Sequence, residues 1–519
     1  GHGLAGWDDP GDGAGCFLLP DAVCLHRQGR PLRAKKGCAN KSTLAHAMDS
    51  VQPKPAIKLV ALWASILLSG CAVGPDFKQP VVATPESYRL DTMPVDTAEE
   101  LKWWELFDDP VLYTLVSTAL ENNRDLKIAI SRIEQARAFL GFTRADQYPA
   151  LDIQAGASGG NFLGSSRTDS TDSAYFIAAP LSWEIDLWGK FRRATAAARA
   201  ELIASEYGLR TVQLSLVADV VNAYYVLLDF HQRLAISEFT LQSRTKSLDI
   251  IQQRFDKGII SELDLNQAQV QKEIAAAAIP LYQRSIAKTE NALSILLGQL
   301  PESIETGIDL DSQTLPPDIP TGLPSSLLER RPDVLEAMYL LKSQTENIGV
   351  AEALRFPAVS LTGTLGIART DLSGMVSRGG FWSLGGSLLG PIYNFDKNIR
   401  RVDIEKALTQ QALYRYENTV LTAFREVEDA LVEIETYERQ IASVGNQLKA
   451  AKNANMLSNK RYDKGYSSYL EVLETERSLF NVQLQYSDLK QQYLNSYVNL
   501  YKALGGGWIT KTEAESKKR

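Results

Sequence analysis

The chain has 519 residues, a formal net charge of −7 and a pI of 5.5. No basic excess exists to meet phosphates, so nucleic acid is not among the expected partners. Past residue 70 the chain holds one cysteine, Cys71, and one histidine, His231. That count excludes disulfides, Cys/His metal sites and Ser-His-Asp triads there, and leaves only carboxylate chemistry.

Residues 1–47 are rich in Gly, Asp and Arg, lack periodicity and carry Cys16, Cys24 and Cys38. They read as upstream sequence ahead of Met48, or as a disordered extension. Residues 48–70 read as a signal peptide. Lys54 and Lys58 precede ten apolar residues, Leu59 to Leu68, a run too short to cross a bilayer, which takes about 20. The run closes in Leu68-Ser69-Gly70-Cys71, which resembles a bacterial lipobox with Cys71 as the lipidated residue. Ala72 is not the aspartate that retains many such lipoproteins in the inner membrane, so the resemblance implies the outer membrane. Residues 71–102 carry Pro75, Pro80, Pro85 and Pro94 and read as an extended tether.

A first repeat is expected over 103–300. Trp103-Trp104 opens it. A helix over 110–147 is interrupted near Asn122-Asn123 and ends before Pro149, because the residue before proline leaves the helical region. A β-hairpin follows over 150–188. Tyr175, Ile177, Ala179, Leu181, Trp183, Ile185 and Leu187 alternate with residues that include Ser182, Glu184 and Asp186, giving one apolar and one polar face. Trp183 and Trp188 fit a membrane interface. A hairpin packed on a soluble core has the same pattern.

Residues 190–256 contain no proline. Val220, Leu227, Leu234, Leu241, Leu248 and Phe255 recur at steps of seven, with Leu202, Leu209, Leu216, Ala223 and Phe230 in a second row. Two apolar rows at heptad spacing predict one supercoiled helix of about 100 Å. A turn at Gly258 leads to a helix over 261–297 that Pro280 is expected to kink. Residues 301–328 are an irregular, proline-rich equatorial linker.

The order then repeats over 329–505. Asn123-Arg124-Asp125-Leu126 is echoed by Arg331-Pro332-Asp333-Val334, and Arg254-Phe255-Asp256-Lys257-Gly258 by Arg461-Tyr462-Asp463-Lys464-Gly465, at offsets of 208 and 207. The chain is therefore read as a tandem duplication. The second copy has a β-hairpin over 357–395, whose return strand alternates poorly, and long helices over 398–463 and 468–504. Leu473, Phe480, Leu494 and Tyr501 keep the seven-residue spacing, with Ser487 the polar exception. The tail, 506–519, is expected to be disordered.

Four strands cannot close a barrel, and open edges are not tolerated in lipid. Three chains supply twelve strands and twelve helical rods. The expected fold is mainly α with a β membrane part: long-helix hairpins forming a trimeric α-barrel on a 12-stranded transmembrane β-barrel. The chain resembles the TolC/OprM superfamily of outer-membrane efflux proteins, in its NodT-like lipoprotein branch. Cys71 to Pro75 with Pro80, Arg331-Pro332-Asp333-Val334, Phe356-Pro357-Ala358 and the two Lys-Gly turns carry the resemblance over 71–505.

The resemblance implies an exit duct of a tripartite efflux system, passive and not an enzyme, without cofactor beyond lipid on Cys71. Its implied partners are two further copies, a periplasmic adaptor, an inner-membrane pump of RND, ABC or MFS type, and outer-membrane lipid. Gly258 and Gly465 would be the periplasmic hairpin tips. Glu471 and Glu474 match the family's acidic gate positions, with Asp264 and Tyr462 as gate contacts; both glutamates also fit a solvated helix face. Ser467 stands where the family has an arginine. The alternatives are a duct for type I protein secretion and a coiled-coil lipoprotein scaffold without a pore. With Met93, Met338, Met375 and Met456 scattered, a soft-metal relay is not expected in this subunit.

Overall fold

The structure, a computed structural model, describes residues 72–85, 87–90, 109–160, 172–314, 324–369 and 380–506. Cys71 and the leader, Trp103-Trp104, the hairpin loops, the end of the linker and the tail lie outside the described residues.

In chain order, α1 (Pro110–Asn122) and α2 (Arg124–Ala145) lead to strands β1 (Ala150–Leu151), β2 (Gln154–Gly160) and β3 (Asp172–Ile185). Then come α3 (Lys190–Asp256), α4 (Glu262–Leu296), α5 (Pro324–Arg330) and α6 (Pro332–Ala353). Strands β4 (Ala358–Arg369) and β5 (Gly380–Leu389) precede α7 (Lys397–Asp463) and α8 (Tyr469–Ala503). The copies match in size: α3 and α7 have 67 residues each, about 100 Å, and α4 and α8 have 35 each. α4 runs through Pro280 as one helix. α3 packs on α2, α4, α6 and α8, and α7 on α6 and α8.

All four long helices end alike. Gly258, Gly298, Gly465 and Gly505 have φ of 69°, 70°, 75° and 90°. At each, the glycine N–H bonds back three residues and the next N–H bonds back five, as in Ile259 to Arg254 and Tyr466 to Arg461. This Schellman ending needs a left-handed residue, and glycine takes it without Cβ strain.

The copies are also locked at mid-height by matched but different side chains. Asn123 Nδ2 donates to the Leu296 carbonyl at 2.9 Å, and Arg331 Nη1 donates to the Ala503 carbonyl at 3.0 Å. A Cβ on Gly298 would lie 2.4 Å from the Asn122 carbonyl, and one on Gly505 3.0 Å from that of Arg330. The main core sits at this level, with Val220, Tyr224, Tyr225 and Leu227 of α3 packed against α1, α4 and α8. Toward the tip the α3 seam opens, and Leu234, Leu241, Leu248 and Phe255 are half-buried.

The strands form one antiparallel sheet in the order β1/β2, β3, β4, β5. Register confirms a two-faced sheet. Leu181, Gly363 and Leu384 form one row, and Ala179, Leu365 and Trp382 the next on the same face. The opposite face carries the rows Pro180, Thr364, Ser383 and Glu184, Ser360, Ser387. The second hairpin is shorter than 357–395. β5 stops at Leu389, and Phe395 and Asp396, with φ of 50° and 61°, turn the chain into α7. The β3 strand likewise ends at Ile185 rather than Leu187. β5 is exposed along its whole length, and among the described residues no strand pairs with its outer edge.

Candidate functional site

The two rod tips are built by the Lys-Gly turns. A Cβ on Gly258 or Gly465 would meet nothing within 4 Å, so the left-handed φ alone demands glycine there. Below the turns, Ile251, Ala268, Tyr469, Val472 and Leu473 form a small apolar core that holds the two hairpins side by side.

Asp264 is committed to its own helix. Ser261 and Asp264 form a capping box at the start of α4: the Ser261 hydroxyl donates to Asp264 Oδ2 at 2.9 Å, and the Asp264 N–H donates to Ser261 Oγ at 3.3 Å. Tyr462 lies against Tyr469, with ring centroids 5.4 Å apart and planes tilted by 44°, and carries the Arg254 guanidinium 4.7 Å over its ring. Its hydroxyl is buried without a hydrogen-bond partner, as is that of Ser467. The structure therefore places Asp264 and Tyr462 in one neighbourhood without a hydrogen bond between them.

Glu471 and Glu474 are exposed at the start of α8, where the helix dipole favours a carboxylate. Each has a guanidinium. Arg461 Nε lies 3.5 Å from Glu471 across the turn, and Arg477 Nη2 donates to both Glu474 oxygens at 2.9 and 2.7 Å. Exposed pairs of this kind are weak, about 0–1 kcal/mol each, and each places a cation beside its carboxylate. Neither arginine was singled out from the sequence, although Arg461 stands in the repeated turn phrase itself.

Higher on the rods, the polar exception in the α8 row is explained. Ser487 is buried and donates to Asp229 Oδ1 of α3 at 2.5 Å, and Asp229 pairs with Arg233 at 2.7 Å. Burial pushes the Asp229 carboxyl above its usual range, with Arg233 opposing. The bond joins residues 258 apart, so no local pattern announces it.

Cys71 lies outside the described residues, but its neighbours are fixed. The Val73 N–H donates to the Trp188 carbonyl at 3.0 Å. Arg193, at the start of α3, donates to the Val73 and Gly74 carbonyls at 3.2 Å each, to Asp76 at 2.9 Å and to Glu346 at 2.7 Å. Gly189, with φ of 80°, leaves room for Ala72. The segment after Cys71 is thus clamped where strand gives way to helix. The two tryptophans assigned to this level are hydrogen-bonded to protein: Trp183 Nε1 to the Gln147 carbonyl at 3.1 Å and Trp188 Nε1 to that of Pro357 at 2.8 Å.

The family model described as "Outer membrane efflux protein" matches residues 115–299 and 323–506. The solvent efflux pump outer membrane protein SrpC of Pseudomonas putida is 36% identical over 464 residues, 87% of this chain and 98% of that protein. The cation efflux system protein CusC of Escherichia coli is 33% identical over 461 residues, 87% of this chain and 99% of its own length. The crystal structure of the Campylobacter jejuni CmeC outer membrane channel superposes with a TM-score of 0.79 at 28% identity, over 86% of this chain and 98% of that one.

Proposed function

Because the chain belongs to the outer membrane efflux protein family, we propose a specific working arrangement for it. It is an outer-membrane channel of a tripartite efflux system, with the fold of the family's trimeric α/β-barrel channels. Three copies join head to tail, so that β5 of each chain meets β1/β2 of the next and twelve strands close the barrel. The apolar face, with Leu181, Leu365, Trp382 and Leu384, meets lipid, and the Ser/Thr face lines the lumen. Lipid on Cys71 anchors each chain beside the Arg193 clamp. The rods carry the lumen about 100 Å into the periplasm.

The tips at Gly258 and Gly465 form the entrance. A periplasmic adaptor meets them and delivers substrate from an inner-membrane pump of RND, ABC or MFS type. The duct itself performs no chemistry. Glu471 and Glu474 ring the entrance, each offset by its own arginine, so the ring prefers cations only weakly. The names of the relatives speak of solvent efflux and of cation efflux. Such different cargo suits a conduit whose pump, not its wall, selects the substrate.

The observation that carries this reading is one chain in which a two-faced sheet with an open edge continues into 67-residue helices. Single-particle imaging of the detergent-extracted protein tests it. A threefold tube with a helical part of about 100 Å is expected. Monomers or solid coiled-coil rods would refute the channel.

A further inference from the structure

A cleft of about 640 Å³ opens between α3, α7 and α8, within the range of small-ligand sites, about 300–1,000 Å³. Gly445, on its wall, lies about 70 Å along α7 from Lys397, where the helix leaves the sheet, and about 30 Å above Gly465. The heptads of α7 fix which way the cleft faces. Lys406, Gln410 and Leu413 line one groove together with Phe77 and Pro80 of the tether. Ile441, Gly445 and Leu448 line the cleft. Each stands 35 residues, five heptads, beyond its counterpart, so both sets share one face of the supercoiled helix. The tether leads to Cys71, the proposed lipid anchor, so this face is the outer wall of the rod and not its lumen.

The cleft is positive. Lys449 and Lys452, one turn apart, are exposed and pair with no acid among the described residues. α7 has no acidic residue from 439 to 462, and α8 has none from 477 to 487. Asp311 is the one acid among the lining residues, and it is already engaged. Lys490 Nζ donates to its carbonyl at 2.6 Å and lies 3.7 Å from Oδ1, and Gln232 Nε2 donates to Oδ2 at 2.7 Å. Gly445 keeps space beside the Tyr486 ring, which a Cβ there would meet at 3.5 Å. Asn446 and Gln483 line the same cleft.

We infer that this cleft binds a carboxylate-bearing glycan strand of the periplasm, which holds the duct from outside. Two free lysines meet the carboxylate. A sugar ring has a face of C–H groups and a rim of hydroxyls; Tyr486 takes the first, and the side-chain amides of Asn446 and Gln483 take the second. A lipid head group is also anionic, but the membrane part is about 70 Å away. An acidic helix would dock through an apolar stripe, whereas Ile441 and Leu448 are half-buried here, with the lysines outermost. The inference rests on the channel reading given above, which puts this wall in the periplasm.

Co-sedimentation of the full-length, detergent-extracted protein with purified peptidoglycan sacculi tests it. Binding is expected, weakening as salt rises and lost when the carboxylates of the sacculi are amidated. Lys449→Gln combined with Lys452→Gln should weaken it about tenfold, the size of two exposed ion pairs. Gly445→Leu fills the cleft at a helix position where leucine is the better helix former. It should abolish binding without lowering the melting temperature, so a folding defect does not imitate the result. Tyr486→Leu, which keeps the apolar packing, should also weaken binding. Polyglutamate should compete poorly; competition equal to that of soluble glycan fragments marks an acidic-peptide site and overturns the glycan. Binding that survives Gly445→Leu, or no binding by protein that forms threefold tubes, overturns the inference as well. Protein that forms no tube overturns the channel reading beneath it.

Discussion

Arg331→Ala should destabilise the protein more than Asn123→Ala, although both residues hold the carbonyl that ends a 35-residue helix. The Asn123 side chain makes two neutral bonds. Oδ1 accepts the Leu126 N–H at 3.0 Å as an N-cap, and Nδ2 donates to Leu296 at 2.9 Å. Losing a cap and one neutral bond costs about 2 kcal/mol. Arg331 is buried and makes four. It donates to both Asp333 oxygens at 2.9 and 2.6 Å, to Glu426 at 2.7 Å and to Ala503 at 3.0 Å. Its acidic partners keep some access to water, with 26% and 36% of their side-chain surface exposed, and Asp333 retains the Val334 N–H at 2.9 Å. The cost therefore falls at the low end for a broken buried pair, about 3–4 kcal/mol. Arg331→Asn, which copies the first repeat, should recover only about 1 kcal/mol, the value of one neutral bond. Melting of the detergent-extracted protein at fixed concentration ranks the three variants. If Asn123→Ala melts as low as Arg331→Ala, the charge-assisted bonds contribute nothing, and the account of the two locks is wrong.

Two further outcomes follow from the same reasoning. Leu384→Arg, on the apolar face of β5, should impair membrane assembly by about 2–4 kcal/mol near the bilayer midplane, while Ser383→Arg on the opposite face is tolerated; protease resistance of the protein folded into vesicles compares them. Burial, chiefly, raises the Glu336 carboxyl above its usual value, with Asp333 adding to the shift and Arg132 opposing it. A carboxyl raised in the folded state binds protons more tightly there than in the unfolded chain. Its stability contribution is thus complete below the unfolded value of 4.5 and is lost as pH rises through the folded one. Glu336→Gln removes that loss, so its melting temperature should gain on wild type across this window and then run parallel; a constant difference at all pH values would refute the assignment.

What was legible in the sequence was whatever repeats locally. The helix read over 190–256 is α3, because no proline interrupts the heptad rows and Gly258 stops them. The β5 strand was harder. Gly380 and Gly386 stand on its apolar face opposite Ile367 and Leu361, so the large side chains that complete each row sit on the neighbouring strand. Alternation read along one strand misses a face that is only complete across two. The same limit hid Ser487 with Asp229, Arg193 with Glu346, and Arg461 with Glu471. In each, one member looks out of place or ordinary until the fold brings the other to it. Glu471 and Glu474 are picked out by resemblance, but the arginines beside them are seen only in the fold.

The stability of one chain is not a property of that chain alone. Trp382, Leu384 and Leu388 are 71–78% exposed, and among the described residues β5 has no partner along its outer edge. In lipid every unpaired strand N–H and C=O is costly, so a lone copy has no place in the membrane. The rods carry the same asymmetry. Ile128, Phe139 and Phe142 on α2, and Ile404, Tyr414 and Leu421 on α7, are exposed apolar side chains on the outer two of the four helices α2, α3, α6 and α7 that pack in series. Two unlike flanks at opposite ends of one layer suit the proposed head-to-tail contact, and such contacts either close into a ring or grow without end. The buried core at mid-height belongs to a single chain, whereas sheet closure belongs to the assembly. Core variants such as Arg331→Ala should therefore lower the amount of folded subunit available, and flank or edge variants should make melting steeply dependent on protein concentration.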